Sequence, residues 1–91
     1  MYELTKEQKN KIYKRALAEI QSGKNNFLCP AIKFAWCVVM DEKYPEDNII
    51  GLFTEFLAYK PINPQFPYWF RDENGNAERK MILENCIKQT S

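Results

Sequence analysis

The chain contains no histidine and only three glycines among its 91 residues. The first absence removes the commonest general base and the commonest metal ligand at neutral pH. The second leaves no Walker loop, dinucleotide glycine fingerprint or nucleophile elbow. Charge of one sign is also missing: 13 basic residues stand against 12 acidic ones, a net charge of +1. Bulk charge therefore gives no grip on long nucleic acid or on an anionic membrane. The longest apolar run, Phe34 to Met40, is far short of the roughly 20 residues of a membrane span. Charge from Glu3 onward leaves no room for the apolar core of about 7 to 15 residues that marks a secretory signal. These features predict a cytoplasmic protein that makes no membrane contact.

Cysteine is scarce and odd in number, at positions 29, 37 and 86. The spacings fit no zinc-binding pair, and no acidic cluster has the spacing of a calcium loop, so neither a metal nor a cofactor is expected. The three thiols read as free and buried in a reducing compartment, with an intermolecular pair as the alternative.

What is present suffices for one core. Leu, Ile, Val and Phe together make 22 of the 91 residues, above the level of disordered chains. The size allows a single domain, residues 1–91.

Thr5-Lys6-Glu7-Gln8 has the capping-box spacing. Ile12, Tyr13, Ala16, Leu17 and Ile20 follow on one helical face, and Gly23 suits the helix end. Phe27-Leu28-Cys29-Pro30 places a proline in the first turn of a second helix. That helix is apolar almost all round from Ala31 to Met40, with Lys33 its one charge, which predicts a central position. Asn48 caps a third helix with Ile49, Leu52, Phe53, Phe56 and Leu57 inward. Pro61, Pro64 and Pro67 then break regular structure, and Phe66, Tyr68, Trp69 and Phe70 crowd into the same stretch. A turn at 72–76 leads to a last helix from Ala77 to Lys88 that buries Ile82, Leu83, Cys86 and Ile87. The expected fold is all-α: a compact single domain of about four helices with a Pro/aromatic-rich ordered loop before the last.

Charge is unevenly placed along the chain. Residues 1–24 carry six basic and three acidic groups, whereas residues 41–56 carry one basic and five acidic. Two solvated faces, or head-to-tail self-association, would follow.

Two clusters could bind a ligand. Lys33 and Trp36 sit three apart on the second helix, where a ring could stack on a base while the ammonium meets a phosphate. In the alternative, Lys33 reaches water and Trp36 fills the core. Tyr68-Trp69-Phe70-Arg71, with Arg79 beyond, could supply a stacking platform and bidentate phosphate donors, or rings that complete the core. Cys29 is the one conceivable nucleophile. It has no histidine to activate it, and a buried structural role is expected. The chain reads as no enzyme.

The order Ile12-Tyr13-Lys14-Arg15-Ala16-Leu17, Gly23-Lys24, Leu28-Cys29-Pro30-Ala31-Ile32, Lys60-Pro61, Tyr68-Trp69-Phe70, Glu78-Arg79 and Leu83-Glu84 resembles a group of small bacteriophage proteins. The resemblance implies a protein of the bacterial host cytoplasm. It also implies immune evasion, by sequestering a nucleotide immune signal in a homo-oligomer, as in anti-CBASS and anti-Thoeris sponge proteins. From the residues themselves, Trp36 and Trp69 would stack on bases, Lys33, Arg71 and Arg79 would neutralise phosphates, and Tyr68 would belong to the same ligand-binding set. The alternatives are a protein–protein inhibitor of a host defence protein and a structural phage protein.

Overall fold

The computed structural model describes residues 4–45, 53–57 and 76–91. All regular structure among them is helical: α1 (Lys6–Ser22), α2 (Leu28–Met40), α3 (Thr54–Leu57) and α4 (Asn76–Gln89). The expected all-α class is therefore the observed one. The Pro/aromatic stretch lies outside the described residues, as do Asn48, Ile49 and Leu52.

α1 begins where its sequence directs. The Thr5 hydroxyl accepts from the Gln8 N–H at 3.1 Å, and the Thr5 N–H donates to Gln8 Oε1 at 2.9 Å. Two amides that a helix start leaves unpaired are satisfied together. At the other end Gly23 takes φ 79°, and its N–H donates to the Ile20 carbonyl at 3.2 Å. This left-handed conformation costs glycine little and other residues more.

α2 starts at Leu28, so Pro30 occupies its first turn, where the missing N–H removes nothing. The helix stops at Asp41, which adopts φ 55° without being glycine. Asp tolerates this region because its short polar side chain can compensate locally.

The core gathers Ile12, Tyr13, Ala16 and Ile20 of α1 with Leu28, Ala31, Ile32, Ala35 and Trp36 of α2, and with Ile82, Leu83 and Cys86 of α4. Phe53 and Phe56 join it from the α3 segment. Leu17 and Ile87, expected inside, are only partly buried. α1 packs against both α2 and α4. Among the described residues the central element is therefore α1 and not the more apolar α2, which departs from the expectation from composition. Continuous apolarity did not bury α2 all round: Phe34 and Val38 stay 41% and 49% exposed.

The α1–α4 pairing is fixed by polar contacts as well. Asn10 Nδ2 donates to the Ile87 carbonyl at 3.0 Å and to Thr90 Oγ1 at 3.2 Å. Thr90 Oγ1 in turn donates to the Cys86 carbonyl at 2.8 Å, which satisfies an acceptor at the C-terminal end of α4.

Replacing Gly23 by Ala should lower stability by about 1 kcal/mol. A Cβ there meets no atom within 4 Å, so the loss is conformational, and urea denaturation should show it as a lower midpoint with an unchanged slope.

Candidate functional site

The sequence directs attention to Lys33, Trp36, Tyr68, Trp69, Arg71 and Arg79. Tyr68, Trp69 and Arg71 fall outside the described residues. The other three are separated by burial.

Lys33 is exposed, and its Nζ lies 5.5 Å from the centre of the Tyr44 ring. Trp36 is fully buried and meets the same Tyr44 ring edge-on, with centroids 5.9 Å apart and planes at 76°. Lys33 and Trp36 are thus connected, but through Tyr44, which lies just past the helix end. The indole belongs to the core, which is the alternative that the sequence offered for Trp36. The underlying reason is helical geometry: positions 28, 32, 35 and 36 form one stripe, and α1 covers it. Tyr44 was not singled out from the sequence. Its only sequence signal is a ring four residues beyond the helix, and the backbone turn at Asp41 decides that it folds back.

Arg79 is 1% exposed, with its guanidinium 5.1 Å from the centre of the Phe27 ring. It therefore does not stand on the open surface. Arginine is seldom buried this deeply unless its charge has local compensation, and the flat ring face beneath it provides part of that.

The cysteines also depart from the expectation. Cys86 is buried as predicted, whereas Cys29 and Cys37 are exposed. Both lie on the side of α2 that α1 does not cover. The protein packed beside the Cys29 thiol raises its pKa above the ordinary value, an effect that nearby Lys33 offsets only in part. A nucleophilic cysteine requires a lowered pKa, so this environment runs against that role.

A second polar cluster joins three helices and was not anticipated. Glu55 of α3 accepts the Tyr13 hydroxyl at 3.0 Å through Oε1 and pairs with Lys9 Nζ at 3.4 Å through Oε2. The Thr54 hydroxyl donates to the same Oε2 at 2.9 Å. Burial acts to raise the Glu55 pKa, but the hydrogen bonds from Thr54 and Tyr13 and the charge of Lys9 together outweigh it, and the carboxyl is held below its usual value of 4.5. Burial, followed by the Glu55 charge, pushes the Cys86 thiol up to about 12. The Tyr13 phenol is likewise driven upward, first by burial and then by Cys86 and Glu55. Phenol and thiol therefore stay protonated at neutral pH, and the cluster is suited to fastening α3 rather than to proton transfer. No sequence signal could have found it, since Tyr13 and Glu55 are 42 positions apart.

Among the described residues no group of histidine, cysteine, aspartate and glutamate side chains is arranged to hold a metal ion, and no helix is long and apolar enough to cross a membrane.

Two outcomes follow from these environments. A thiol reagent should modify two cysteines in the native protein and the third, Cys86, only on unfolding; equal native reactivity of all three would contradict the burial. Glu55 has a folded pKa below its unfolded one, so its stabilisation is complete above the unfolded value and is lost as pH falls through the folded value. Glu55→Gln should therefore lower stability by about 1 kcal/mol at pH 7 and by much less once both forms are acidified. Denaturation at the two pH values measures the difference.

Comparison with known protein families, curated proteins and solved structures finds no match for this chain.

Proposed function

We propose that this chain is a non-catalytic binding protein that acts by docking onto another protein through the outer face of α2. The observation that carries this reading is the exposure of Phe34 and Val38, one helical turn apart. Exposed Pro30 and Cys37 continue the same face. Single exposed apolar side chains are ordinary on any protein surface. A row of them along one helix, opposite a face already used in the core, is a surface suited to being covered. The raised pKa values at Cys29, Cys86 and Tyr13 support a role without covalent or acid–base chemistry. The partner class proposed from the phage resemblance is a host defence protein.

Capture of a nucleotide immune signal by a homo-oligomer is the second reading, and one observation favours it. The Lys33 ammonium and the Tyr44 ring form a cation–aromatic pair at the surface, so Tyr44 could take the stacking role expected of Trp36. Tyr68, Trp69 and Arg71, expected from the sequence to serve the same ligand, lie outside the described residues.

Native mass spectrometry with cyclic di- and trinucleotides and ADP-ribose-derived signals separates the two. The docking reading expects no retained nucleotide, and it expects Phe34→Glu to abolish protein association while leaving thermal unfolding nearly unchanged. A nucleotide that is retained by the wild type and by Phe34→Glu, but lost in Lys33→Ala, would overturn it in favour of capture.

A further inference from the structure

The outer face of α2 is a stripe with a sign at each end. Pro30, Phe34, Cys37 and Val38 recur at the spacing that keeps side chains on one side of a helix. Exposed Lys33 flanks the first half of the stripe, and exposed Asp41 and Glu42, followed by exposed Lys43, close the second with a net negative charge. Among the described residues the ion pairs are Lys9 with Glu55 and Lys11 with Glu7. Lys33, Asp41 and Glu42 take no part in either. The basic end is strengthened by Arg15, whose guanidinium stands 5.5 Å from the centre of the Phe34 ring.

From this arrangement we propose that the partner of the α2 face is a second copy of this chain, packed antiparallel across a two-fold axis that passes close to Cys37. The proposal rests on the docking reading above and goes beyond it by naming the occupant. A two-fold interface sets one patch against itself in reverse. A stripe that is basic at one end and acidic at the other is complementary to its own reversed copy, whereas a parallel arrangement would place like charges together. Lys33 and Asp41 lie four positions on either side of Cys37. With Cys37 near the axis, Lys33 of each copy reaches the Asp41-Glu42 end of the other, and Phe34 is set beside the Val38 to Met40 segment of the second copy.

The axis also distinguishes the two exposed thiols. Cys37 of one copy would lie next to Cys37 of the other, within the Cα separation of about 4.4 to 6.8 Å that a disulfide spans. Cys29 sits eight residues away, about 12 Å along the helix, so the two Cys29 thiols would be far apart.

Sedimentation equilibrium of the full, reduced chain tests the proposal. A dimer is expected, with a dissociation constant raised roughly tenfold or more by Phe34→Glu, a loss of at least about 1.4 kcal/mol. That variant should stay folded, since Arg15 can pair with the new carboxylate, and circular dichroism checks this. Lys33→Glu and Glu42→Lys should each weaken the dimer, and the double variant should restore it. Diamide should join the copies through Cys37, the two thiols giving up two protons and two electrons to the reagent as the disulfide forms. Cys37→Ser should prevent the link, and Cys29→Ser should not.

A wild-type chain that remains monomeric, or a dimer indifferent to Phe34→Glu and to the charge reversals, overturns self-pairing. In that event, capture of proteins from a bacterial lysate by wild type and by Phe34→Glu decides the broader reading. Capture that depends on Phe34 leaves the docking face with a different partner, and equal capture overturns that reading as well.

Discussion

The described fold depends on the surroundings of one buried phenol. Tyr13 lies on the inner face of α1, with its ring edge-on to Phe53 at 5.7 Å and its hydroxyl donating to Glu55. The same ring belongs to the core that contains Cys86 of α4. One side chain thus ties the central helix to the α3 segment and faces the helix on its other flank. A buried tyrosine is favourable only if its hydroxyl has a partner, and here that partner is a carboxylate held ionised by Lys9 and Thr54. The described turn of α3, Thr54–Leu57, is held by tertiary contacts as well as by its own hydrogen bonds. Its place is set by Phe53, Phe56 and this polar contact together.

α2 shows how a helix can be rich in apolar residues and still half-covered. Its inner stripe of Leu28, Ile32, Ala35 and Trp36 is fully sealed. Ala31 and Ala35 keep the approach of α1 close, and Trp36 supplies the bulk. Fully burying a side chain of Leu or Ile size stabilises by about 1.5 to 3 kcal/mol, so the sealed stripe suffices to hold the helix in place. Phe34 and Val38 gain nothing comparable in the isolated chain. Their exposure gives α2 two different faces, one used for folding and one available for a partner, and the functional proposal follows from that division.

The candidate ligand groups were re-sorted by the same division. Burial places Trp36 and Arg79 inside and leaves Lys33 outside, although the sequence put all three forward as aromatic or basic ligand groups. The aromatic partner of Lys33 became Tyr44 because the chain reverses at Asp41 in a left-handed turn.

The sequence by itself determined the local features. The capping box at Thr5, the stop at Gly23, Pro30 in a first turn, the inward stripe of α1 and the burial of Ile82, Leu83 and Cys86 all arise from interactions within a few residues, or from a periodicity that any core would satisfy. Tertiary structure alone decided which helix is central, because apolar content measures how much surface a helix would bury and not how many neighbours it has. It also decided that Cys29 and Cys37 face outward, that Tyr13 meets Glu55, and that Arg79 lies against Phe27. Each of these depends on pairing residues far apart in the chain, and that pairing is fixed by how whole helices pack, which no local pattern of residues encodes.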